Sequence, residues 1–328
     1  MKRFVYKLLL FCIVPMALLL PLAYVTDAGL HKSRHFFFAE WNDLFDGKIN
    51  ADMLINGSSR AWVQFSPYII DSSLGINSYN LGMDATPPDI QYERLKVYLR
   101  YNKKPKYILQ EVGYVTTFFA SRHLPNYQQF LPYLSDSAIW RLYKGLYPNV
   151  SLVERYFPLY KYNNQLPIIK EGLQSYFGRG ITSGKYKGYM GQERYWDSSF
   201  SEMVKSNQKG FDCKIEPKAL ATMEQYLTMC KENDIQIFLV YPPFYYEANR
   251  YIVNHQLILN KLRELARKYD VPYLDYRNTY LDSSRTYYYN SQHLNKRGSE
   301  LFTQMLVNDL KKIVPAFRKP ESDTTQSN

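Results

Sequence analysis

Cysteine is scarce in this chain, with three in 328 residues. Cys12 lies in an apolar run near the N-terminus, which leaves Cys213 and Cys230. Those two can pair in an oxidising compartment. Cys230 falls on an amphipathic helical pattern, and a buried free thiol there is an equal alternative. No Cys or His spacing matches a metal site, so no metal and no other cofactor is expected. Histidine is sparse too, at five. Lys and Arg outnumber Asp and Glu by 41 to 30, a formal charge of +11, yet they form no long basic run. With no nucleic-acid-binding motif either, a nucleic-acid partner is excluded. An anionic envelope or membrane surface suits the basic balance better.

What the chain does have is apolar residues, at 46%, and 32 tyrosines. That hydrophobic content excludes disorder over most of the length. Tyr has a large apolar body and a polar tip, which suits half-buried surfaces. Residues 8–25 form an apolar run of 18 without a charge. At about 1.5 Å per residue it reaches roughly 27 Å, close to a bilayer core. Lys2, Arg3 and Lys7 precede it and hold the N-terminus in the cytoplasm. Thr26-Asp27-Ala28 lacks the usual pair of small residues of a cleavage site, so an uncleaved single-pass anchor is expected rather than a signal peptide. On either reading the remainder is extracytoplasmic. The expected organisation is an anchor at 1–28, a juxtamembrane connector at 29–50, a domain at 51–317 and a disordered tail at 318–328. The stretch 121–209 is rich in Tyr, Pro and Gly without clean periodicity. It reads as an insertion that shapes a substrate cleft.

Elsewhere helical and apolar-strand patterns alternate. Strands are expected at 53–56, 76–82, 105–112, 235–241 and 271–275. Helices are expected at 61–73 (irregular at Pro67), 90–101, 218–233, 252–269 and 299–313. Such alternation predicts an α/β fold: a flavodoxin-like three-layer α/β/α sandwich with a mainly parallel sheet, preceded by the transmembrane helix.

Two stretches carry candidate chemistry. Met53-Leu54-Ile55-Asn56-Gly57-Ser58-Ser59-Arg60 reads as a strand ending in a sharp turn. Gly57 permits that turn, and the hydroxyl after it sits beside the free N–H groups of a helix start, where an oxyanion can be held. The second stretch, 289–298, lies between the last strand and the last helix and contains His293. His31 and His35 are juxtamembrane, His123 is in the insertion and His255 is in a helix. Loops at the carboxyl ends of parallel strands converge on one crevice, so Ser59 and His293 are expected to meet there across 234 positions. Arg60 is a candidate for holding the Ser59 loop or an anionic substrate, with a solvated charge at the helix start the favoured reading.

Gly57-Ser58-Ser59, Asn80-Leu81-Gly82 and the late His293-Leu294-Asn295 followed by Gly298 resemble the blocks of the SGNH/GDSL hydrolase superfamily. They look most like its membrane-anchored branch, which modifies or transfers acyl groups on envelope polysaccharides. The resemblance spans roughly 53–312, with the insertion unmatched. It implies Ser59 as nucleophile, His293 as base, and an oxyanion hole from the backbone of Ser59 and Gly82. It also implies an acyl-ester or polysaccharide substrate and a membrane protein that supplies acyl groups. Two positions depart from the family pattern. Asn290 stands where the triad acid belongs, three places before the His, and Gly113-Tyr114-Val115 replaces the block that supplies an oxyanion-hole Asn. Asp282, in the same loop, is a candidate to reach His293 in place of the missing acid. An uncharged Asn290 points to a slow enzyme or to an inactive relative that binds glycan or supports envelope assembly.

Overall fold

The computed structural model describes residues 1–318. The tail expected to be disordered lies outside the described residues, apart from Arg318. The chain divides into two units: residues 1–49, 93–102 and 121–184 in one, and residues 50–92, 103–120 and everything from 185 onward in the other. The irregular middle of the sequence is thus shared, with 121–184 in the first unit and 185–209 in the second.

The second unit is built on five parallel strands: β1 (Met53–Asn56), β2 (Ser78–Asn80), β3 (Tyr107–Glu111), β4 (Gln236–Tyr241) and β5 (Tyr273–Asp275). Their order is β2-β1-β3-β4-β5, the flavodoxin-like arrangement, and every pairing is parallel. All four β1 residues are buried, as a parallel sheet covered by helices requires. The helix Lys296–Ile313 packs against Ser59–Gln64 and Pro67–Leu74, while Pro217–Glu232 packs on β4 and against His255–Tyr269. From β1 the chain crosses to β2 on one side and to β3 on the other. The carboxyl ends of β1 and β3 therefore flank the switch point, where such sheets bind ligands.

A buried polar ladder ties these two strands together. Asn56, at the end of β1, donates to Gln91, Gln110 and the Tyr226 hydroxyl at 3.3, 2.9 and 3.0 Å. Gln110, on β3, donates in turn to Gln91 at 2.7 Å. Each amide has partners inside the core, so the ladder adds specificity without leaving polar groups unpaired.

Two expectations about local structure are revised. The single helix at 61–73 is two helices, Ser59–Gln64 and Pro67–Leu74. Proline pushes the residue before it out of the helical region, and Ser66 is extended at φ −87°, ψ 109°. Pro67 then opens the second helix, where its missing N–H costs nothing. The stretch around His293 is not a loop but a hairpin, β6 (Tyr288–Asn290) and β7 (His293–Leu294), turning at Ser291-Gln292 and pairing Asn290 with His293. Cys213 and Cys230 are both buried free thiols.

The first unit contains the N-terminal helix Lys2–Leu30, which is long and apolar enough to cross a membrane; its length and position also fit a signal sequence. Its last turns are buried at Thr26, Gly29 and Leu30 and cross the helix Leu166–Tyr176. A Cβ on Gly29 would lie 1.7 Å from the Gly172 carbonyl oxygen, so the crossing requires glycine. Within 29–50 a short helix, Ala39–Phe45, buries Trp41 and Leu44.

Candidate active site

The turn after β1 is shaped by Glu111, the last residue of β3. Its side chain is fully buried and accepts from both the backbone N–H and the hydroxyl of Ser58, each at 2.9 Å. Gly57 fits beneath it at φ 149°, with room for no side chain: a Cβ would lie 2.6 Å from Cβ of Glu111. Ser58 caps the helix Ser59–Gln64 and Ser59 is its first residue. The Ser59 backbone N–H has no acceptor among the described residues, as expected for a first-turn amide.

Arg60 is not the solvated charge of the favoured reading; it takes the alternative place, holding the Ser59 turn. It is buried, ion-pairs with Glu111, donates to the Val112 carbonyl at 3.1 Å and lies 5.2 Å from the Tyr241 ring centroid. Burial alone would lower its pKa, but Glu111 and Tyr241 outweigh that and hold it above the ordinary value. Its guanidinium occupies the space that any side chain at Gly113 would need. Thus Arg60 and Glu111 clamp the nucleophile turn to β3. Replacing one partner leaves the other charge buried and unpaired. Glu111→Gln is therefore expected to cost about 3–5 kcal/mol of stability, read from denaturant midpoints.

The hairpin delivers the rest of the site. His293 Nε2 lies 2.8 Å from Ser59 Oγ, and His293 Nδ1 lies 2.9 Å from Asn290 Oδ1. Asn290 Oδ1 also accepts from the backbone N–H of Gln292 and of His293, each at 3.0 Å. That oxygen accepts, so the ring carries its proton on Nδ1 and presents a bare Nε2 to the Ser59 hydroxyl. This is the tautomer a general base needs. Tyr289 stacks on the His293 ring at 5.3 Å and 6°, and the Arg194 guanidinium lies 4.9 Å from the Tyr289 ring centroid. Burial, then the positive charges of Arg60 and Arg194, push the His293 pKa down to about 3, with Asp197 opposing. The imidazole is neutral at any ordinary pH.

The structure thus brings together Ser59, His293 and Asn290 and leaves out two other candidates. Asp282 does not reach the ring. Its carboxylate accepts from the Thr279 N–H at 2.9 Å and from the Tyr288 hydroxyl at 3.4 Å, and burial raises its pKa to about 7. Gly82 is adjacent to the Ser59 helix, and a Cβ there would lie 2.2 Å from the Trp62 nitrogen, but its N–H already donates to Asn80 Oδ1 at 2.7 Å. Asn80 in turn donates to the carbonyls of Ala61 and Phe65 at 2.7 and 2.9 Å, closing the end of that helix. This amide is committed to holding the turn and is not free for an oxyanion. Glu111, Tyr289 and Arg194 were not singled out from sequence. A lone Glu ending an apolar strand was the one available signal among them.

A cavity of about 440 Å³ opens on Ser59 and His293. Its walls are mainly apolar, among them Val115, Met203, Phe211 and Phe244, with Asp84, Ser291 and Gln292 adding further polar groups.

No family model matches the chain, and no curated protein matches it. Among solved structures it is similar to a protein described as an acylhydrolase from Bacteroides fragilis. The two are 10% identical with a TM-score of 0.36, over 81% of this chain and 88% of that one. It is also similar to a GDSL-like lipase from Bacteroides thetaiotaomicron, at 9% identity and a TM-score of 0.37, over 80% and 88% of the two chains. Likeness at this level carries no assignment of activity.

Proposed function

We propose that the chain is a serine-dependent acyl esterase or O-acyltransferase of the SGNH type, anchored in the membrane by its N-terminal helix, with its substrate on the extracytoplasmic side. The observation that supports this most directly is the Ser59–His293–Asn290 relay at hydrogen-bond distances on the rim of a parallel sheet. His293 Nε2 takes the Ser59 proton as Oγ attacks the ester carbonyl. The oxyanion is held by the Ser59 N–H and by the positive field of Arg60, since the Gly82 amide is engaged. The His293 proton passes to the leaving alcohol. Water or a sugar hydroxyl, deprotonated by the same nitrogen, then releases the acyl group. The apolar walls favour an acyl group in the cavity with its carbonyl at Ser59. An envelope polysaccharide is the acceptor or donor that suits a basic, membrane-tethered domain, and a membrane protein that hands over acyl groups suits the transferase variant.

A second reading has its own support. Asn290 brings no charge, and His293 is a weak base. Both fit a non-catalytic relative that binds glycan or supports envelope assembly. Fluorophosphonate labelling separates the two. Labelling that maps to Ser59 and vanishes in Ser59→Ala is expected. An unlabelled Ser59 in folded protein would leave the binding role standing and remove the enzymatic one.

A further inference from the structure

The short helix Leu152–Tyr156 in the first unit turns its apolar side chains to the surface. Leu152, Val153 and Tyr156 are 60, 47 and 68% exposed, Arg155 is half-buried, and the Glu154 carboxylate stays at the surface, accepting from the Ser151 N–H and hydroxyl in a capping box. Arg155 turns inward, donating to the Ser135 carbonyl at 2.8 Å with its guanidinium 4.9 Å from the Trp140 ring centroid. Phe157 and Tyr160 follow on the chain and extend the exposed apolar surface, at 46 and 45%. Scattered exposed apolar residues need no explanation, but five within nine positions, with Arg155 turned in, mark a surface that expects an apolar neighbour.

The depth of this ledge is set by its attachment. Asp27 is the first charged residue after the apolar run 8–25. Lys161 pairs with Asp27 at 2.9 Å, and the Tyr162 hydroxyl donates to it at 2.5 Å. The turn Tyr160–Tyr162 is therefore tied to the N-terminal helix where its apolar stretch ends. The close Gly29–Gly172 crossing fixes the following helix, Leu166–Tyr176, to the same turns. On the N-terminal helix itself Tyr24 lies one turn before Asp27 and is 69% exposed. Tyrosines and phenylalanines held at the end of a membrane span sit where aromatic side chains favour the headgroup boundary.

We propose that Leu152, Val153, Tyr156, Phe157 and Tyr160 lie in the headgroup–acyl boundary of the bilayer, so that the lipid surface itself is the partner of this ledge. The proposal goes beyond the acyl-transfer chemistry and rests on the membrane anchor that forms part of the proposed function.

The test uses the full chain in lipid nanodiscs whose lipids carry bromine either near the headgroup or near the chain ends. Tryptophan is placed by Phe157→Trp, by Tyr156→Trp as a second ledge position, and by Leu18→Trp within the apolar run. Quenching is read as the loss beyond that of the parent protein. Both ledge variants are expected to be quenched, more by shallow bromines than by deep ones, and Leu18→Trp is expected to be quenched more by deep bromines. If Leu18→Trp is quenched and neither ledge variant exceeds the parent, the ledge does not touch lipid and the proposal is overturned. If Leu18→Trp is not quenched, the span fails and the proposal fails with it.

Discussion

Ser59→Ala and His293→Ala are each expected to lower kcat for ester hydrolysis by roughly 10²-fold or somewhat more, with the fold intact by circular dichroism. The size follows from what this site has to lose. Removing the nucleophile or base of a complete serine triad costs about 10⁶ in kcat, and replacing the triad Asp by Asn alone costs about 10⁴. A site that begins with Asn290 has already forgone the larger share. The two substitutions act on one proton transfer, so the double variant should be no slower than either single one. Multiplying effects would mean that Ser59 and His293 act separately, against the 2.8 Å contact between them. The pH profile adds a check. The base is competent only when unprotonated, and its pKa is pushed down to about 3, so no acidic limb should appear near the ordinary 6.5. Stability carries the linked sign: the folded-state pKa lies below the unfolded one. The His293 contribution is therefore complete above pH 6.5 and lost as pH falls from there toward 3.

Much of the fold was legible because its signals are local. An apolar run closed by Gly57, and alternating helical and strand periods on either side, are enough to place β1 at the edge of a crevice. The convergence of Ser59 with His293 could be argued from topology alone, since loops at one end of a parallel sheet must share a rim. What escaped were features that exist only in tertiary contact. A charged residue at a helix start reads as solvated, and nothing in the sequence around Arg60 announces that Glu111, 51 positions later, is buried to meet it. The Gly82 amide was assigned by block resemblance, which cannot reveal that it already donates to Asn80 Oδ1 two residues earlier. The hairpin carrying His293 was hidden because its strands are three and two residues long, too short for a period of two to show. Asp282 looked available because it shares a stretch of chain with His293, but proximity in sequence says nothing about which way a buried carboxylate faces.

Asn290→Asp is expected to raise kcat by about 10²- to 10⁴-fold, the range a positioned base contributes, with the upper end set by the cost of the reverse change in a complete triad. Asn290 Oδ1 already lies 2.9 Å from His293 Nδ1 and accepts from two backbone N–H groups. A carboxylate of the same shape inherits all three hydrogen bonds and adds the missing charge. Opposite charge at that distance favours the imidazolium, offsetting the burial and the two arginines that now disfavour it. The His293 pKa should climb from about 3 toward its ordinary value, and an acidic limb should enter the pH–rate profile at the new pKa. At neutral pH the ring stays unprotonated in both forms. Any gain in rate therefore reflects a stronger base in the transition state and not a larger fraction of competent enzyme. NMR titration of the His293 ring reads the shift directly, separately from turnover. A raised pKa with no gain in kcat would show that proton transfer to His293 does not limit the reaction. In that case the oxyanion hole, short of the Gly82 amide, sets the rate. An unchanged pKa would show that residue 290 does not face the ring, and the relay itself would have to be redrawn.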